Sequence, residues 1–189
     1  HAGSHSKAWW KCDKGDDHEY HQLISDKISK ELGCSICSGH KVVKSTCLAT
    51  THPEIAKEWH PKKNGILTPN DVHAGSHSKA WWKCDKGDDH VWKSIIKSRS
   101  GPDRKGGCSI CRGLTVVESN CLATINPKLA NEWHPIENGD LTPFKVTEKS
   151  GKKVWWKCDK GDDHEWKASI ANRSNGSNCP FCDLTPQSK

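Results

Sequence analysis

Methionine is absent from this 189-residue chain, tyrosine occurs once and phenylalanine twice. Long apolar runs are missing too. No stretch approaches the roughly 18 residues that a membrane-spanning helix needs, and no secretory leader is visible. Apolar residues make up 33% of the chain and mean hydropathy is −0.83. So polar a composition excludes one large core and favours small modules. Modules of about 40–70 residues usually need a metal or disulfide staple. The chain opens at His1, part-way through a repeat, so it is expected to be a fragment, a processed product or the visible part of something longer.

Against these shortages stand 10 tryptophans and 11 cysteines. Nine of the cysteines fall into three sets of one pattern: a Cys, a His six residues on, then a CxxC pair. The sets are Cys12, His18, Cys34 and Cys37; Cys84, His90, Cys108 and Cys111; and Cys158, His164, Cys179 and Cys182. Three thiolates and one imidazole are the complement of a closed structural zinc site. Three zinc ions per chain are therefore expected. A disulfide scaffold fits less well, because the Cys count is odd and a His recurs at a fixed offset. Iron–sulfur centres mostly use four Cys. The remaining pair, Cys47 and Cys121, sits at equivalent repeat positions and is expected to be small and buried. Zinc thiolates lead to the expectation of an intracellular, reducing compartment.

Residues 1–18 and 73–90 are identical, and Cys47 to Cys121 and Cys84 to Cys158 are both 74 residues apart. A fixed period of this size means tandem modules. The divisions expected are a partial repeat at 1–46, back half only, and full repeats at 47–120 and 121–189. The front half begins with Cys-Leu-Ala-Thr. A helix of about two turns follows, opened by Asn126-Pro127 and stopped by Pro135, with Leu129, Ala130 and Trp133 on one face. Asn64-Gly65 and Asn138-Gly139 mark a tight reversal. The back half is a predicted hairpin: Lys153–Lys157 outward, Asp159–Asp163 as turn, Glu165–Ile170 returning. Strand alternation puts Trp156 on the face of Cys158, opposite Trp166. It leaves Trp155 to pack on the front-half helix and Trp133. Stretches of 15, 17 and 14 residues then separate each His from its CxxC, as befits a surface loop between fixed ligands. The fold class expected is small α+β zinc-stabilised modules: tandem zinc-ribbon or treble-clef-like repeats, each a β-hairpin with a short helix and a CxxC knuckle.

The string CLAT…EWHP…NG.LTP…WWKC…DHEW…CPFC resembles a zinc-ribbon domain family of uncharacterised function, along essentially the whole chain. The resemblance implies tandem repeats. In some members it also implies a neighbouring endonuclease domain, and hence DNA by association. Many members place a second Cys in the first knuckle. Here Asp and Gly fill that space, which leaves His18, His90 and His164 as the second ligands.

The formal charge is +6 and the pI near 8.7. That permits a polyanionic partner without requiring one. Lys27, Arg99 and Arg173 share one repeat position, and Lys83 and Lys157 precede a ligand Cys. Such repeated cations, expected near the module surface, could track phosphates beside exposed Trp rings. The turn lysines Lys14, Lys86 and Lys160 are flanked by Asp and read as a solvated face. The leading expectation is a zinc-binding, nucleic-acid-binding module, DNA more than RNA. The alternative is a structural or interaction component of a large assembly such as a ribonucleoprotein, capsid or multi-subunit complex. No small-molecule substrate and no enzymatic role are expected, since four protein ligands leave zinc no open position. His60 and His134 in EWHP, and the His residues of the HAGSH copies (His1, His5, His73 and His77), read as packed or loop residues.

Overall fold

A computed structural model describes residues 4–101 and 107–183. The chain divides into two compact units, residues 1–84 with 91–107 and residues 85–90 with 108–189. Among the described residues no helix is long and apolar enough to cross a membrane.

The first unit opens with strands β1 (Lys7–Lys11) and β2 (Glu19–Leu23), paired antiparallel with Trp10 opposite Tyr20. Helix α1 (Ile24–Ser29) follows β2 without a break. Tyr20, Cys34 and Ile36 form a small core, with Trp10 and Val43 packed against it. The front half then supplies two short helices, α2 (Leu48–Thr51) and α3 (Pro53–Ala56). The unit's second hairpin is β3 (Lys79–Lys83) with β4 (Val91–Ile95), in which Trp82 faces Trp92, and α4 (Ile96–Ser100) continues from it.

The second unit repeats the plan. Helices α5 (Leu122–Ile125) and α6 (Pro127–Asn131) precede β5 (Lys153–Lys157), β6 (Glu165–Ser169) and α7 (Ile170–Ser174), and α8 (Pro180–Asp183) carries the last knuckle. Asn126 caps α6 by accepting the Leu129 N–H at 3.1 Å, with Pro127 at the first helical position. The equivalent cap in the first unit, His52, makes no side-chain capping bond; its Nδ1 lies 3.0 Å from Thr51 Oγ1 instead. The expected two-turn helix is thus shorter, four residues in α3 and five in α6. Beyond them the chain is drawn into a β-bridge with the hairpin.

That bridge explains where the core lies. His134 N–H donates to Trp155 O at 3.1 Å and Lys157 N–H to Glu132 O at 2.7 Å, which aligns Trp133 with Trp156. Asn138 closes the edge: its Oδ1 accepts the Trp155 N–H at 2.8 Å and its Nδ2 donates to Trp155 O at 2.9 Å. In the first unit Asn64 does the same to Trp81. The reversal after it depends on Gly65 and Gly139, at φ +61° and +55°, where a side chain would be strained. An otherwise bare strand edge is so covered by its own module.

Trp133 therefore meets Trp156 edge-on, ring centroids 5.5 Å apart at 78°, and Trp59 meets Trp82 at 5.2 Å and 80°. The expectation that Trp155 would take this contact is corrected. The strand parity holds, but the front half packs on the face that also carries Cys158. Leu122, Leu129, Val146, Val154, Trp156 and Ile170 form the core there. Trp156 and Trp82 are fully buried. Each buries on the order of 200 Å², so one ring anchors each small core.

Candidate metal centres

Each hairpin turn is folded so that its ends present a thiol and an imidazole. Cys158 N–H donates to His164 O at 3.1 Å, and His164 N–H to Gly161 O at 3.2 Å. The first hairpin repeats both bonds, with Cys12, His18 and Gly15. The imidazole then lies against the turn glycine and aims Nδ1 at the CxxC sulfurs.

The three sets of ligands expected from spacing are brought together, each with its ligand atoms within 4.8 Å of one another. In the third, Cys158 Sγ lies 3.6 Å from Cys182 Sγ, and His164 Nδ1 lies 3.8 and 3.5 Å from the sulfurs of Cys179 and Cys182. In the first, Cys12 and Cys37 are 3.7 Å apart, and His18 Nδ1 lies 3.9 and 3.3 Å from Cys34 and Cys37. In the second, His90 Nδ1 is 3.8 and 3.3 Å from Cys108 and Cys111.

A tetrahedron with Zn–S near 2.3 Å and Zn–N near 2.05 Å has S···S edges of about 3.8 Å and S···N edges of about 3.5 Å. The observed separations match those edges. They do not match disulfides, and no disulfide joins the cysteines. Electrostatics agrees. Desolvation, then the neighbouring thiols, pushes Cys37 and Cys182 up to about 11. Thiolates crowded this closely need a cation among them, and a dication inverts that preference. The Cys₃His clusters are consistent with three zinc ions, each held by four protein ligands.

The candidate cations are placed differently from expectation. Arg99 and Arg173 do not project from the surface. Their side chains are 5% exposed. The Arg173 guanidinium lies 5.3 and 5.1 Å from the ring centroids of Trp156 and Trp166, and it pairs with Glu132 and with Ser177 O. Arg99 lies between Trp82 and Trp92 and pairs with Glu58. The reason is local: the chain turns helical immediately after β4 and β6, which brings the Arg back beneath the tryptophan pair. Lys27 donates to Tyr20 Oη at 3.0 Å. Lys157 pairs with Glu165 at 2.8 Å, which also receives His134 Nε2 at 3.2 Å. Lys83 stands on β3 beside Trp82.

His134 is buried, its Nδ1 accepting the N–H groups of Ile136 and Glu137 at 3.2 and 3.1 Å. His60 accepts from Lys62 and Lys63 in the same way. Both are packed turn residues, as expected, and Cys47 and Cys121 are buried at the starts of α2 and α5. His73 bridges to Cys47, and His1 lies outside the described residues.

One surface was read only in part from the sequence, which named Lys83 and Lys157 but assigned Trp155 to the packing of the front half. On the hairpin face opposite the core, Lys79, Trp81 and Lys83 alternate along β3, and Lys93 stands across from Trp81. Lys63 and Lys93 hold their ammonium groups 4.8 and 5.6 Å from the Trp81 ring. The third hairpin has Lys153, Trp155 and Lys157, with Lys167 5.9 Å from the Trp155 ring. The first has Lys7, Trp9 and Lys11, with His21 stacked on Trp9 at 5.1 Å. The Lys-x-Trp-x-Lys spacing was the available signal.

The sequence profile of a family described as "Probable Treble clef zinc finger domain" matches residues 1–40, 55–114 and 129–185. A comparison with curated proteins gave no significant match.

Proposed function

The chain belongs to this treble clef zinc finger family, covered three times over most of its length, and from that premise we propose that its zinc-held hairpins bind nucleic acid through their outward faces. The observation that carries the reading is the recurring aromatic and basic strip: Trp9, Trp81 and Trp155, each flanked along its strand by two lysines. Successive unstacked bases can lie on such rings while lysines neutralise the adjoining phosphates. Lys83 and Lys157 belong to this strip. Arg99 and Arg173 support the modules from within, and Lys27, half-buried, is engaged with Tyr20 and Trp10. Among the described residues no helix is long enough or suitably lined to read a major groove, so backbone and stacking contacts would dominate. DNA is taken as the preferred polymer over RNA from the family association noted above. Zinc is structural in this reading, and the chain has no hydrolytic role.

The test is fluorescence titration of the intact zinc-loaded chain with single-stranded and duplex DNA and with RNA, at several salt concentrations. Binding should be tightest to single strands and weaken as salt rises. Trp81→Ala and Trp155→Ala should each cost about 1–3 kcal/mol of affinity without releasing zinc. Salt-insensitive or absent binding would overturn the proposal.

A second reading, an interaction component of a large protein or ribonucleoprotein assembly, is favoured by one observation. Large apolar side chains lie open on each unit: Ile66 at 99% in the first, Ile136 at 77% and Phe144 at 68% in the second.

A further inference from the structure

Two serines that neither the zinc sites nor the outward strips use stand at one repeat position. Ser45 and Ser119 each lie eight residues beyond the last Cys ligand of the preceding site, in the segment leading to the next front half. Each grips the aspartate that directly precedes the ligand His. Ser45 donates its N–H to Asp17 Oδ2 at 2.9 Å and its hydroxyl to Asp17 Oδ1 at 2.6 Å. Ser119 does the same to Asp89, at 2.9 and 2.7 Å. A two-pronged grip of this kind fixes the carboxylate's orientation as well as its position.

In the second copy the geometry goes one step further. Ser119 Oγ also lies 3.2 Å from His90 Nε2. His90 turns Nδ1 toward the Cys sulfurs, so Nδ1 is the metal-facing nitrogen and Nε2 must carry the proton. The serine has one hydroxyl hydrogen, already given to Asp89, and lone pairs left to accept. The chain of donors therefore runs from His90 Nε2–H to Ser119 Oγ–H to the Asp89 carboxylate. Such outer partners of a ligand imidazole set its tautomer and ring angle and raise its basicity.

We infer that Ser45 and Ser119 are positioning residues for the zinc ligands His18 and His90, so that ordering of the segment entering each front half tightens the zinc site behind it. Ser119 lies in a 3₁₀ turn, Glu118–Asn120, which delivers Cys121 to the start of α5. Folding of that front half and occupancy of the preceding site share this turn. A shared element couples the two equilibria, and the coupling is reciprocal. The inference rests on the zinc reading and is independent of nucleic-acid binding.

The experiment uses the full chain loaded with three zinc ions, a count verified before any variant is compared. Zinc transfer to excess chelator is followed by absorbance, and species with three, two and one zinc are followed by native mass spectrometry. In Ser45→Ala/Ser119→Ala, two of the three ions should transfer at least about tenfold faster than in the parent, and the third at the parental rate. Ser45→Thr/Ser119→Thr, which keeps both hydroxyls, should restore slow transfer. Both serines are exposed, so the alanine chain should keep the parental circular dichroism. Should it lose its fold instead, Asp89→Asn provides the second measurement: one ion only should become faster. Parental rates for all three ions in the alanine chain, equal acceleration of all three, or no rescue by threonine would each overturn the inference.

Discussion

A Cβ added at Gly161 would stand 2.8 Å from Cδ2 and 2.9 Å from Nε2 of His164. Gly15 and Gly87 have the same relationship to His18 and His90, at 2.6 and 2.8 Å. These glycines are not needed for an unusual backbone angle. They leave room for a ring that cannot swing away once it ligates. Gly161→Ala should therefore push His164 out of the third site. Titration with a competing chelator should show one of three zinc ions weakened by tenfold or more; three unchanged affinities would show that the turn can yield.

Arg173 should behave as a core residue. Its guanidinium spans two tryptophan rings and pairs with Glu132, so Arg173→Ala removes the stacking and leaves a carboxylate partly enclosed. The cost should be about 2–4 kcal/mol of stability in denaturant unfolding. Arg173→Lys should recover little of it, since a lysine lacks the planar fork. Near-parental stability with weakened nucleic-acid binding would instead return Arg173 to the surface role first expected.

His60 supplies a pH dependence. Burial first, then the charges of Lys63 and Lys83, lowers its pKa below the ordinary imidazole value. Protonation would also cost the two backbone bonds that Nδ1 accepts. Between the lowered folded value and the unfolded value near 6.5, the unfolded chain binds more protons. Stability of the first unit should thus rise with pH across that window and fall as the medium is acidified through it. An NMR titration of His60 should place its midpoint below that of a solvent-exposed histidine, and His60→Asn should flatten the corresponding part of the stability curve.

Elemental analysis should find three zinc ions per chain, and zinc uptake should release protons. Cys37 and Cys182, whose thiols are held up to about 11 without a cation, must each give one up. Apparent zinc affinity should therefore fall as pH falls, as seen in a pH-stat titration. Zinc uptake with no proton release would place other ligands at the sites.

The loaded chain should not cleave DNA or RNA with added magnesium or manganese. Cleavage abolished by substituting one defined set of side chains would require a catalytic reading.

The ligand sets were legible because a Cys, a His six residues on and a CxxC leave few other uses for those residues. The hairpin was legible because Trp, Lys and Val alternate along it, and the caps because Asn-Pro and Asn-Gly have few local alternatives. Arg99 and Arg173 were not legible. Strand parity ceases to apply once Ile96 and Ile170 begin a helix; in the third hairpin the strand ends at Ser169, one residue earlier than predicted. Nor did parity say which face of the hairpin the front half would choose. That choice was made by the β-bridge at Trp133 and Trp156 and by Asn138, contacts set by three-dimensional closure. The grip of Ser119 on Asp89 joins residues 30 apart and leaves no periodic trace in the sequence.

The loop between hairpin and knuckle has a consequence for how the covalent chain is used. In the last module Asn175, Gly176, Ser177 and Asn178 are all exposed, and the loop is bounded by His164 before and Cys179 after. With zinc bound, a protease nick in that loop would leave both fragments fastened through the ion, each contributing two ligands. The peptide bond is then mechanically redundant at that point and the metal is the joint. A nicked chain should run as one species in native electrophoresis and as two fragments once the zinc is chelated. The same loop is where the chain could be opened into new termini or could accept an inserted segment.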